Sequence, residues 1–396
     1  MAQAAKRPYL PELDIVRTFG ILAVIMIHAT SAIVATYDHH ATLYPLYVFL
    51  NTVSKFAVPV FIFLSGFVLF YNYYDKPFTA KTIGQFYKKR MSKILIPFLL
   101  FSILYFGLTR YAQFGFVDLQ TFIGYFTTEK FLKMLVFGKT YTHLYFVVII
   151  IQFYALSPLM LYAVKRFPAL GKHIAWIGLL VQWLFIYKVI GEFHLKSPGS
   201  YCFTYMFYFT AGAFIGIHYM KLSSWINLAK TNITPQKIAA AITLWVLFLS
   251  SSLILFYFYY ENRLYTIKVI NTNLLEIIDE IRCVTAGILL LQIAYWVYTL
   301  WNKKVVRALL HIGATSFGIY LVHPLVLYLY RKTSVSGDPV LYHAWAAGGF
   351  FIALLVPWAI VSFSARFKWH WLLFGPLPAK ENWPAVPVQP KPGIDA

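Results

Sequence analysis

The sequence predicts an all-α, polytopic membrane helix bundle of about ten transmembrane helices with both termini cytoplasmic. Three observations carry this. Only 12% of the 396 residues are charged, about half of the roughly 25% that a water-soluble domain uses to cover its surface. Hydrophobic residues make up 60%, and the mean hydropathy is +0.65. Apolar runs of about 20 residues, the length that crosses a hydrocarbon core, recur from end to end.

The predicted spans are 14–36, 45–70, 94–112, 144–164, 173–190, 201–219, 238–260, 276–300, 310–330 and 341–363. With the first end inside, the cytoplasmic stretches are 1–13, 71–93, 165–172, 220–237, 301–309 and the tail from 364. These hold 21 of the 34 Lys and Arg residues, against 10 in the external stretches with their adjoining helix ends. That bias is the positive-inside pattern. It accounts for the net charge of +20 without nucleic acid as a partner. The organisation expected is one transmembrane domain over 1–380 and a short proline-rich cytoplasmic tail over 381–396. The N-terminal run has no small-residue cleavage pattern, so the first helix is expected to stay. The longest external loop, 113–143, predicts one short amphipathic helix at 130–138. Cys202 and Cys283 form neither a disulfide framework nor a metal pattern, and no metal site is expected.

Three basic residues remain inside the spans: Arg17, Lys55 and Arg282. Ionisable groups at membrane depth are costly and mark function by default. Arg17 and His28 stand eleven residues apart, which places them within about 20° on one helix face and about 16 Å apart in rise. Asp14, one turn before Arg17, can hold it. On the same helical measure His28, Lys55 and His323 all lie about 20–22 Å from the cytoplasmic end of their spans. Three nitrogen bases at one depth suggest a shared polar cavity. Lys55 beside a histidine would favour neutral imidazole, the form a general base requires. A satisfied core histidine and an interfacial Asp14–Arg17 anchor are the bland alternatives. On the outer side Glu276, Asp279, Arg282 and His143 are candidates for sugar hydroxyls, although interfacial acids are more often simply solvated. The loop YDKPFTAKTIGQFYKKRMSKILIP carries Lys89, Arg90 and Lys93. In a helix entering the membrane Arg90 and Lys93 share a face and suit phosphates or anionic lipid headgroups.

Five segments in order resemble the acyltransferase 3 family of multi-pass membrane acyltransferases. They are LDIVRTFGILAVIMIHA, SKFAVPVFIFLSGFVLF, FYKKRMSKILIPF, THLYFVVIIIQFYALSPLM and SFGIYLVHPLVL. The resemblance implies transfer of an acyl group, usually acetyl, from cytoplasmic acyl-CoA to a carbohydrate hydroxyl at the outer face, with no permanently bound cofactor. It implies His28 as the catalytic histidine, Arg17 as its motif partner and Arg90 in the loop associated with the CoA phosphates. Two positions depart from the pattern. Lys93 replaces the loop's second arginine, keeping charge but losing the bidentate fork, and Tyr145 replaces a frequent tryptophan. The partners expected are acyl-CoA, a carbohydrate acceptor and the lipid bilayer. On this reading CoA docks on Lys89, Arg90, Lys93 and Arg17, His28 deprotonates the acceptor or briefly carries the acyl group, and Lys55 or His323 stabilises the oxyanion. A transporter or flippase of a glycan or lipid-linked sugar is the chief rival, and a sensor or scaffold the third class.

Overall fold

Caps, prolines and glycines decide where the apolar runs begin, break and stop. The computed structural model describes residues 7–229, 231–265, 272–333, 335 and 337–377, and the 381–396 tail lies outside them. The first span is α1 (Glu12–Thr36). The predicted span 45–70 is divided into α2 (Tyr44–Ser54) and α3 (Ala57–Tyr73). Pro59, in the first turn of α3, has no N–H to return to the Lys55 carbonyl four residues back, so the ladder is interrupted beside Lys55. Next come α4 (Ala80–Arg90) and α5 (Ser92–Phe114), joined through Met91, whose dihedrals remain helical. The long 113–143 loop holds two helices rather than one, α6 (Leu119–Phe126) and α7 (Glu129–Val136). Asp118 and Thr128 cap them by accepting from the N–H groups of Thr121 and Phe131, a local signal that ends each helix's orphan donors.

The chain continues through α8 (Tyr145–Arg166) and α9 (Pro168–Leu184), then a π-helical turn and the single turn α10 (Ile190–Glu192). The remaining helices are α11 (Met206–Ile226), α12 (Pro235–Tyr265), α13 (Thr272–Leu300), α14 (Lys303–Tyr330), α15 (Pro339–Ser364) and the short α16 (His370–Phe374). No strand occurs among the described residues. With neighbouring helical pieces joined, nine helices among the described residues are long and apolar enough to cross a membrane. The predicted span 201–219 corresponds to a 3-10 turn (Cys202–Tyr205) and α11. That helix has the length, but His218, Lys221 and its tyrosines leave it less apolar than the rest. Both cysteines are free and buried, as expected of core residues.

Two compact units make up the chain. The first contains Ile62–Tyr219 and Ser364–Pro376, with the terminal stretch ending at Arg7. Its spine is a backbone-to-backbone seam between α3 and α11. A Cβ at Gly66 would strike the Phe209 carbonyl, and Cβ atoms at Gly212 and Gly216 would strike the carbonyls of Phe63 and Phe67. Gly212 and Gly216 form the small-xxx-small spacing that lets membrane helices approach closely. Phe153 stacks on Phe209 at 4.1 Å, and Phe106, Phe126 and Phe131 pin the α6–α7 pair to α5.

The second unit contains Pro8–Phe61 and Met220–Phe363. At its centre α1 packs on α14 in parallel. Gly313 of α14 lies against the Asp14 carbonyl, where any Cβ would collide. Thr18 Oγ1 donates to the Leu309 carbonyl, and His28 meets His323 further along the same two helices. Asn51 of α2 then locks that helix to α1, its Nδ2 donating to the Ile27 carbonyl, Thr30 and Ser31 at 3.0–3.2 Å.

Candidate functional site

At the start of α1 Asp14 is buried and accepts from Arg17 Nη1 and the Tyr9 hydroxyl. The guanidinium of Arg17 stays one-third exposed. The predicted Asp14–Arg17 pair is therefore present, with a third partner the spacing did not name. A carboxylate near a helix N-terminus is also favoured by the helix dipole, so this end is anchored both by charge and by bonds.

Fourteen residues further on, at the far end of the same face, lies the histidine pair. The rings of His28 and His323 are 5.2 Å apart between centroids and tilted by 53°. His323 is fully buried, and its Nδ1 lies 3.1 Å from the Ile319 carbonyl. A carbonyl only accepts, so Nδ1 carries the proton and Nε2 is left as the basic nitrogen. Pro324 follows directly within α14 and withholds an N–H from the carbonyl of Tyr320, which loosens the ladder beside the imidazole. A cation completes the group. Arg331, just past the end of α14, donates through Nη2 to the backbone carbonyl of His28. The spacing of the sequence gives Arg331 only as an outer-loop basic residue; its place about two turns after His323, at the C-cap of the same helix, is the signal that could have found it.

Lys55 belongs to a neighbouring constellation. Its ammonium lies 3.8 Å from the centroid of the Tyr259 ring on α12, a cation–π placement. Arg282 of α13 is 1% exposed; it pairs with Asp279, which is 41% exposed, and donates from Nη1 to the Thr52 carbonyl at the end of α2. The guanidinium thus bridges α13 to the helix break at Lys55. Asn51, one residue before Thr52, carries the connection on to Ile27 and Thr30, which flank His28. The structure brings Asp279, Arg282 and Lys55 together and leaves Glu276 exposed on α13. Among the cations, it is Arg331 that touches the His28 backbone.

In the first unit Arg90 lies half-buried at the end of α4, 5.6 Å from the Tyr154 ring centroid. Lys93 follows in the first turn of α5, and Lys89 is exposed. Earlier on α4 a shallow cleft is lined by residues that include Lys76, Phe86, Pro158 and Lys165, and not by Lys89, Arg90 or Lys93. His143 is 2% exposed and packs edge-on against Tyr105 and Tyr141 at 5.1 and 5.8 Å. That environment is a packed aromatic core rather than the mouth of a polar pocket. No group of three or more His, Cys, Asp or Glu residues suited to a metal occurs among the described residues.

The fold and this constellation define a multi-pass membrane protein with paired imidazoles inside helices of membrane-spanning length. The chain belongs to the acyltransferase 3 family: its family model, described as an acyltransferase domain, matches residues 10–362. Among curated proteins it is similar to the "Probable poly-beta-1,6-N-acetyl-D-glucosamine export protein" of Staphylococcus aureus strains MSSA476 and MRSA252. Each is 22% identical over 300 residues, covering 73% of this chain and 74% of the relative. The protein of the same name from strain Mu50 is 23% identical over 188 residues, 45% of this chain and 48% of the relative. No solved structure matches.

Proposed function

We propose that the protein transfers an acyl group, acetyl first among the candidates, from cytoplasmic acyl-CoA to a hydroxyl of a cell-envelope or exported carbohydrate. The observation that carries this reading is the pairing of His28 with His323 at 5.2 Å inside an acyltransferase-family bundle. His28 acts as general base on the acceptor hydroxyl. The oxygen attacks the thioester carbonyl, a tetrahedral oxyanion forms, and its collapse releases CoA thiolate, which takes up the proton from the imidazole. His323 shares that proton through Nε2, because its Nδ1–H is committed to the Ile319 carbonyl. Arg331, and Lys55 with Arg282, supply positive charge to the oxyanion step. Lys89, Arg90 and Lys93 bind the phosphates of the donor. The cell membrane is the expected location.

A second reading, export of a glycan, is favoured by the printed name of the curated relatives. Purified protein given labelled acetyl-CoA and β-1,6-linked N-acetylglucosamine oligosaccharides separates the two. Acyl transfer predicts labelled oligosaccharide, protection of the protein from heat by acyl-CoA, and loss of labelling in His28→Ala with expression intact. Full labelling by His28→Ala would remove that residue from the chemistry. Absence of both labelling and acyl-CoA protection in the wild type would favour export.

A further inference from the structure

Where α1 ends, α2 begins, α14 ends and α15 begins, aromatic side chains converge in the second unit. Tyr37 and Tyr342 stack at 4.8 Å with 8° between planes. Tyr330 and Trp345 stack at 5.5 Å and 11°, and Tyr342 joins the two pairs at 5.9 Å from Trp345. His343 sits beneath, its Nδ1 bonded to the Tyr47 hydroxyl at 2.7 Å and its Nε2 3.5 Å from the Tyr37 hydroxyl. The assembly rests on a buried floor that includes Ile33, Val34, Val48 and Ala346.

Aromatic residues at membrane interfaces usually stand as separate anchors whose polar ends reach water. Here four helix termini contribute rings to one array; the phenols of Tyr37 and Tyr47 turn onto one imidazole, and that of Tyr330 donates to the Trp345 carbonyl. The rings of both stacked pairs are half-buried, so part of their apolar surface remains accessible, and a phenol and an imidazole lie at their edge. A sugar ring has the matching form, an apolar face of C–H groups edged by hydroxyls. Tyr330 also precedes Arg331, the residue bonded to the His28 carbonyl. The array therefore adjoins the proposed chemistry.

We infer that Tyr37, Tyr330, Tyr342, His343 and Trp345, held from below by the buried Tyr47, form the docking site for the carbohydrate acceptor, an inference that rests on the acyl-transfer reading for its use. The test is direct binding to the full-length protein in lipid nanodiscs, by calorimetry and Trp fluorescence, with maltohexaose, cellohexaose and chitohexaose as probes. At least one hexasaccharide is expected to bind saturably, at least tenfold more weakly in Tyr342→Leu and Tyr37→Leu. Tyr342→Phe keeps the ring and is expected to stay within about threefold of wild type, which controls for folding. Heat protection by acetyl-CoA is expected in every variant. The site is overturned if no hexasaccharide binds the wild type, if the leucine variants bind as wild type does, or if they alter only the lipids retained by the protein. Sugar binding that depends on Tyr342, found together with no acyl-CoA protection, would retain this site and reject acyl transfer instead.

Discussion

A methyl group placed at Gly313 should separate α1 from α14 and misalign the two imidazoles. The added Cβ would lie within contact of the Asp14 carbonyl oxygen, 2.6 Å from the Asp14 carbonyl carbon and 3.0 Å from Thr18 Oγ1. Ordinary contact begins at 3.4 Å, so the helices must part by at least about 1 Å, since close-packed interiors hold no slack. Neither obstacle can swing aside. One is backbone, and the other is a hydroxyl held by the carbonyls of Asp14 and Leu309. Overpacking of this kind costs about 1–3 kcal/mol, and a displacement of about 1 Å at reacting groups lowers rates about 100-fold. Gly313→Ala is therefore expected to lower transfer from labelled acetyl-CoA about 100-fold and to melt at a lower temperature while still inserting in the membrane. Gly124→Ala serves as the control, because a Cβ there meets nothing within 4 Å. Wild-type turnover and melting in Gly313→Ala would refute the argument that this contact sets the register of the pair.

Other substitutions test the remaining parts. Arg282→Ala leaves the Thr52 carbonyl without its donor and is expected to destabilise the protein by about 3 kcal/mol, the low end for a broken buried pair, because Asp279 keeps access to water; unchanged thermal melting would dismiss the bridge. Arg331→Gln is expected to lower turnover about tenfold, with Arg331→Lys recovering part of the loss, and equal rates in Gln variant and wild type would take Arg331 out of the site. Arg90→Gln is expected to raise the KM for acyl-CoA about tenfold with kcat retained; undiminished heat protection by acyl-CoA would assign the residue to lipid headgroups.

The positions of the spans were legible because the bilayer imposes length and apolarity on each of them independently. Asp14 with Arg17 was legible as an i,i+3 pair, since helical spacing alone places them in reach. Asp279 and Arg282 have the same spacing, but in sequence they stand as candidates for sugar contacts, and the structure pairs them. The meeting of His28 with His323 was suggested by depth, but its confirmation needed the α1–α14 seam, and a glycine such as Gly313 gives no clue in sequence to which backbone it touches. The break at Lys55 had a signal, Pro59, which the continuous apolarity of 45–70 outweighed. In the outer loop two caps, Asp118 and Thr128, marked two helices, whereas amphipathicity alone singled out only the second. Arg331 and the aromatic array were hidden for a different reason. Their significance comes from elements remote in sequence converging, and the nearest local reading was an ordinary interfacial residue.

The seam of Gly66, Gly212 and Gly216 also bears on motion. Where two helices touch main chain to main chain, no side chain can change rotamer to accommodate sliding, so α3 and α11 should travel together as one stiff rod. Any opening and closing during a transport or transfer cycle must then be taken up at seams padded by long side chains, which can repack. The same stiffness explains how α11, the less apolar of the long helices, can be held in place: its partner's backbone, rather than its own greasiness, fixes its position.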